Sequence, residues 1–122
     1  MNISAPGFGR MLQETAAARL AEAAVAACRR ISPRRLRAAR RGRRPISQAR
    51  QTAMYLAHVA FGMTLTRVGI CFGRDRTTVR HACARLEDSR DDPRREFGLE
   101  ALETALLAFR SSQLRETMED RS

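Results

Sequence analysis

The sequence predicts an all-α fold, a small helical bundle containing a helix-turn-helix. Three observations predict it. Apolar residues recur at three- and four-residue steps through most of the chain. β-Branched residues never alternate with polar ones over four positions. Gly, Pro and Thr interrupt the apolar stripes at helix-length intervals. The sharpest stripe lies in residues 73–87, where Val79, Ala82, Cys83 and Leu86 stand at offsets 0, 3, 4 and 7. Arg76, Thr77, Arg80, His81 and Arg85 lie off it. A helix apolar along one side and polar at its start can enter the major groove of DNA and meet base edges with its first side chains.

The elements follow in order. Residues 1–10, with Pro6, Gly7 and Gly9, read as a flexible arm. A first helix over 11–30 is expected to turn Met11, Leu12, Ala16, Leu20, Ala23, Ala24 and Ala27 inward. Ser32-Pro33 is an N-cap and first-turn pair that opens a short helix over 33–39, with Leu36 as its inward side chain. Residues 40–45, Arg-Arg-Gly-Arg-Arg-Pro, form a basic loop. A third helix over 46–61 aligns Ala49, Ala53, Leu56, Ala57 and Ala60 and stops at Gly62. Thr64 caps a short helix over 65–71, with Leu65 and Val68 inward. Phe72-Gly73 makes the turn into a recognition helix over 75–88, so the helix-turn-helix occupies 64–88. A polar break over 89–95 precedes a last helix over 96–114, with Phe97, Leu99, Leu102, Leu106 and Phe109 on its apolar side. Residues 115–122 are expected to fray, leaving a single domain over 11–114.

Charge and composition narrow the function. Net charge is +10, and all 23 basic residues are Arg. Between Ala23 and Arg74 there are twelve Arg and no acid, whereas from Glu87 onward ten acids face six Arg. A molecule polarised in this way attracts a polyanion to one side, and nucleic acid is the expected one. Without Lys there is no Walker A phosphate loop, so a nucleotide site of that kind is excluded. The longest apolar run, 23–28, is too short for a bilayer, and the N-terminus lacks a secretory apolar region, so a cytoplasmic protein without membrane partners is expected. Cys28, Cys71 and Cys83 show no zinc spacing and read as small core residues in a reducing compartment. His58 is expected to face solvent. No carboxylate pair, Cys–His arrangement or Gly-rich phosphate loop occurs at useful spacing, so neither an enzyme nor a cofactor is expected.

Two blocks in order, 49–57 (Ala-Arg-Gln-Thr-Ala-Met-Tyr-Leu-Ala) and 65–83 with Gly69, Arg74-Asp75, Thr77-Thr78-Val79 and His81-Ala82-Cys83, closely resemble the C-terminal DNA-binding domain (domain IV) of the bacterial replication initiator DnaA. Residues 29–45 match more loosely, so the likeness covers about half the chain. It implies a helix-turn-helix of the DnaA domain IV and Trp-repressor type, with an extra helix at each end, binding double-stranded DNA. By resemblance, Asp75, Arg76, Thr77 and Thr78 reach base edges. Arg50, Gln51 and His81 lie at phosphates or groove, and one of Arg41, Arg43 and Arg44 enters the minor groove. Arg74 and Arg80 join the phosphate contacts. There are two departures: Gly73 stands alone where the family has Gly-Gly, and Arg76 replaces the family's His. Arg prefers the paired acceptors of guanine, so a shifted site preference is expected. With 122 residues and no Lys, the chain has no room for the initiator's ATPase region and is expected to be a stand-alone relative.

The leading expectation is therefore a sequence-specific DNA-binding regulator of replication initiation at DnaA-box-like sites. One alternative is a helix-turn-helix transcription regulator. Another is a protein that binds the initiator or its regulatory factors through the acidic last helix.

Overall fold

The computed structural model describes residues 7–38 and 44–120, which hold six helices and no strand. They are α1 (Phe8–Arg29), α2 (Pro33–Ala38), α3 (Arg44–Val59), α4 (Leu65–Phe72), α5 (Arg76–Ser89) and α6 (Pro93–Asp120). Helix α3 is the hub and packs against α1, α2, α4 and α5. Its predicted face (Ala49, Ala53, Leu56, Ala57, then Ala60 beyond its end) is buried, and so are Thr52, Met54 and Tyr55. Leu36, Val68, Phe72 and Val79 bring α2, α4 and α5 into the same core. With so many Ala, apolar area per residue is small. Burial of Tyr55, Phe72, Leu36, Met54 and Leu56, at about 1.5–3 kcal/mol for a large apolar side chain, therefore dominates core stabilisation.

Helix α1 starts three residues earlier than expected and turns a different face inward. Ala18, Ala21, Glu22, Val25 and Ala26 are buried, while Met11 and Leu12 are more than half exposed and Ala16, Ala23 and Ala27 are exposed. Ala occurs on every side of this helix, so apolar period alone does not choose a stripe. Packing against α3 does. Glu22 is carried inside with that face, and Arg19 Nη1 and Arg37 Nη1, 3.5 and 3.8 Å from its carboxylate, offset part of the cost of burying it. Burial raises the Glu22 pKa, and the two guanidinium groups pull it back. Arg19 also donates to the Cys71 carbonyl and lies 5.2 Å over the Phe72 ring, which ties α1 to α4.

Helix α6 extends beyond expectation at both ends. Pro93, read as a break, is its first residue, where a missing N–H costs nothing. The Asp92 side chain accepts from the Arg94 amide (3.0 Å), and its carbonyl accepts from the Glu96 amide (2.8 Å). Helix persists to Asp120, past the expected end at residue 114. Leu99 and Leu106 are buried, whereas Phe109 is 46% exposed. Arg90 fastens α6 to α5 and α3. Its Nε donates to Glu96 (2.6 Å), Nη2 to Glu103 (3.1 Å) and Nη1 to the Tyr55 hydroxyl (2.6 Å). The Tyr55 hydroxyl in turn donates to Glu87. Burial, with the Glu87 bond second, pushes the Tyr55 pKa up to about 12. Arg90 is held still more firmly protonated, chiefly by Glu96.

Three smaller expectations are corrected. Cys28 is exposed rather than core, whereas Cys71 and Cys83 are half-buried and pack against the core, with burial pushing the Cys83 thiol up to about 11. His58 is half-buried and donates from Nδ1 to the Met63 carbonyl (2.7 Å), bracing the turn at Gly62. Phe72 is core and ends α4, so the turn begins only at Gly73.

Candidate nucleic-acid interface

The joint between α4 and α5 is three residues long. Thr64 caps α4 by accepting from the Arg67 amide (3.2 Å). Gly73 ends that helix in the left-handed region (φ 65°), a conformation that costs glycine little. The Arg74 amide then closes back on the Gly69 carbonyl at 2.9 Å. Gly69 itself is required by close approach, because a Cβ there would lie 2.5 Å from the Arg74 carbonyl oxygen. Asp75, in extended backbone, starts α5 by accepting from the Thr78 amide at 2.7 Å. The Thr78 amide and then its hydroxyl hold the Asp75 carboxyl below the usual carboxylate range.

From that start α5 divides into two faces. Val79 and Ala82 are buried and Cys83 and Leu86 half-buried on one side. Arg76, Thr77, Arg80, His81, Ala84 and Arg85 are exposed on the other. Arg76 and Arg80, and likewise Thr77 and His81, share a side of the helix at i,i+4 spacing. Small Ala84 lies among them, so the outer face has no bulky obstruction. Gln51 of α3 is half-buried beside this face. It lines a hollow together with Thr78, His81, Ala84 and Arg85.

The sequence of residues 21–86, from the middle of α1 to near the end of α5, matches the family model of the bacterial DnaA protein helix-turn-helix. The match covers more than half of the chain.

The chain belongs to that family.

DNA binding comes with membership of this DnaA helix-turn-helix family, and its domain is not a catalytic one. Among the described residues, no helix is long and apolar enough to cross a membrane, and no group of three or more His, Cys, Asp and Glu is arranged to hold a metal.

Within this DnaA-type domain the expected contact residues fall in different places. Asp75, Arg76, Thr77, Thr78, Arg80 and His81 share the exposed part of α5 and its cap. Arg44, the first residue of α3, is exposed. Arg41 and Arg43 lie outside the described residues. Arg74 is half-buried, its Nη1 on the Phe72 and Gly73 carbonyls at 3.1 Å each, where it stiffens the turn. Arg50 is placed apart from them. It is only 6% exposed, and its Nε donates to the Leu36 carbonyl at 2.8 Å, so it holds α2 against α3 rather than reaching toward solvent. Burial lowers its pKa, with the Arg74 charge second. The lone Gly73, one residue fewer than the family pattern, still completes the turn, because a single left-handed residue is enough to end α4.

The sequence reading assigned no contact to Arg29, Arg85, Arg94 or Arg95. The structure sets all four with Arg44 around one cleft of about 950 Å³, which also takes in Gln51. For Arg29 and Arg44 a signal existed, since neither has an acid three or four positions away. For the other three, nearby acids concealed it.

Proposed function

We propose that this protein binds double-stranded DNA sequence-specifically and regulates replication initiation at DnaA-box-like sites. The observation that carries the reading is the unobstructed outer face of α5. Arg76, Thr77, Arg80 and His81 stand free of the core there, with Asp75 and Thr78 fixing the helix start. Arg76 and Thr77 address base edges from the first turn. Gln51, Arg80 and His81 meet phosphates beside them, and the basic loop with Arg41, Arg43 and Arg44 approaches the adjacent minor groove. Phosphate contacts supply affinity, and base contacts supply choice.

Unbiased selection of duplex sequences tests this directly. The expected outcome is enrichment of one DnaA-box-related motif, altered opposite Arg76 toward guanine. Arg76→His is expected to move that position back toward the family's motif, at about 1–3 kcal/mol of discrimination. Recovery of no motif at all would overturn sequence-specific binding. Mapping bound DNA in cells together with the initiator then separates replication from transcription, because the proposal requires co-occupancy at the origin.

A second reading, in which the protein engages the initiator or its regulatory factors, is favoured by one observation. Leu107, Phe109, Leu114 and Met118 are all exposed on α6, beyond the family-matched segment. Truncation of α6 after Arg110 that leaves DNA selection intact but abolishes the cellular effect would support it.

A further inference from the structure

We infer that the DNA footprint extends past the recognition helix onto a rim of arginines built from α1, α3, α5 and α6, which grips the phosphate backbone flanking the site. This inference rests on the DNA-binding reading above and adds residues outside the family-matched segment.

The cleft of about 950 Å³ between these helices is edged by Arg29, Arg44, Arg85, Arg94 and Arg95, and no acid lines it. All five are exposed. Arg29, Arg44, Arg85 and Arg94 make no side-chain ion pair among the described residues. Arg95 has only an exposed 3.8 Å pair with Asp92, the kind that contributes little. Elsewhere in the molecule Arg19, Arg37, Arg67 and Arg90 all have carboxylate partners. Arg10, Arg30, Arg34, Arg35, Arg76, Arg80 and Arg115 are likewise without an ion pair among the described residues, so what sets the rim apart is that five arginines from four helices converge on one cleft.

Local helix energetics do not explain the rim either. Arg44 opens α3, and Arg94 and Arg95 lie in the first turn of α6, where a positive charge opposes the helix dipole. Only Arg29, in the last turn of α1, is where a cation stabilises a helix end. Like charges gathered around one hollow repel one another until a polyanion screens them.

The position of the rim selects the polyanion. Gln51 and Arg85 line both this cleft and the hollow beside Thr78 and His81, so the rim continues the outer face of α5 without a gap. A duplex seated on α5 carries a phosphate every 3.4 Å along each strand. In the inferred arrangement, the backbone leaving the groove passes along the rim through the residues the two hollows share, Gln51 and Arg85. Leu86, Leu99 and Leu102 also line the cleft, and apolar surface beside the arginines lowers the local dielectric and strengthens their attraction to phosphate.

The test compares two double variants of the full chain, binding its selected duplex and a random duplex across a salt series. R94A/R95A removes the α6 part of the rim. R10A/R115A removes the same charge from exposed positions outside it. All four side chains are exposed, and unfolding curves verify that both variants keep the parent fold. For R94A/R95A the slope of log affinity against log salt is expected to be less steep by about 2. The loss of affinity between 50 and 200 mM salt then shrinks about tenfold. Preference for the selected sequence over the random one stays unchanged, and a hydroxyl-radical footprint shortens on one flank. R10A/R115A is expected to leave slope and footprint as in the parent. An unchanged slope in R94A/R95A overturns the inference and reassigns the rim to an acidic protein segment. Equal flattening by both pairs also overturns it, since the effect would then be diffuse charge. If the parent itself shows neither motif nor salt dependence, the DNA-binding reading falls first and the inference with it.

Discussion

Two regions of this protein use arginine for opposite purposes. Along α1, α4 and the α5–α6 corner, Arg19, Arg67 and Arg90 meet Glu22, Glu14, Glu96 and Glu103, and Arg90 also holds the Tyr55 hydroxyl. Around the cleft, Arg29, Arg44, Arg85 and Arg94 have no such partner among the described residues. The side chain is the same in both regions. What differs is whether the fold brings a carboxylate within reach. Paired arginines fix helices to one another, and unpaired ones leave a field directed at something outside the molecule.

Four substitutions break or sharpen that contrast. The largest effect is expected from Gly69→Ala, which alters no arginine side chain. Its Cβ would meet the Arg74 carbonyl at 2.5 Å, and backbone cannot swing aside as a side chain would. Overpacking of this kind costs about 1–3 kcal/mol, and urea unfolding is expected to fall at the upper end of that range. DNA binding should be lost along with it, because the joint aims α5. Arg90→Ala comes next. Loss of its charged hydrogen bonds to Glu96, Glu103 and Tyr55 is expected to cost about 2 kcal/mol of stability, while affinity for DNA per folded molecule stays near that of the parent. Arg85→Ala is the converse: unfolding within about 0.5 kcal/mol of the parent, but a salt slope flatter by about 1. If Arg90→Ala and Arg85→Ala produce the same pattern, the division between holding and reaching arginines is wrong.

The smallest effect concerns Asp75. Its carboxyl is held below its ordinary value of 3.8, so the stability it contributes is present above pH 3.8 and is lost as pH falls through the lowered folded value. Asp75→Asn keeps a side-chain oxygen for the Thr78 amide and removes the titration. Melting temperatures of the two proteins are expected to converge or cross below pH 3.8, with the Asn form losing less.

Where the sequence carried strong local punctuation, the fold was legible. Gly62, Thr64, Gly73 and Asp75 each act within four residues, through a left-handed backbone or a cap, so α4, α5 and the end of α3 stand close to their expected bounds. Stripes made of larger side chains, such as Val79 to Leu86, also pointed the right way. Helix α1 misled because Ala on all its sides leaves the choice of face to packing against α3, a partner distant in sequence. Pro93 misled because the same residue ends one helix and begins another, and only Asp92 as a cap distinguishes the two. The burial of Arg50 was not legible, because its acceptor, the Leu36 carbonyl, is fourteen positions away on another helix. The outer face of α5 was legible because it belongs to one helix. The arginine rim was not, since its members come from four helices and become neighbours only after packing.

The Gly69–Arg74 contact also sets how the surface of this protein can vary. The pitch of α5 is clamped by main chain against main chain, through the 2.9 Å amide bond and the absent Cβ, with no outward side chain involved. Residues 76, 77, 80, 81 and 84 can therefore be exchanged as a cassette on a rigid bracket. Reprogramming the recognised sequence then becomes a problem of side-chain chemistry alone, with the docking angle left as it is.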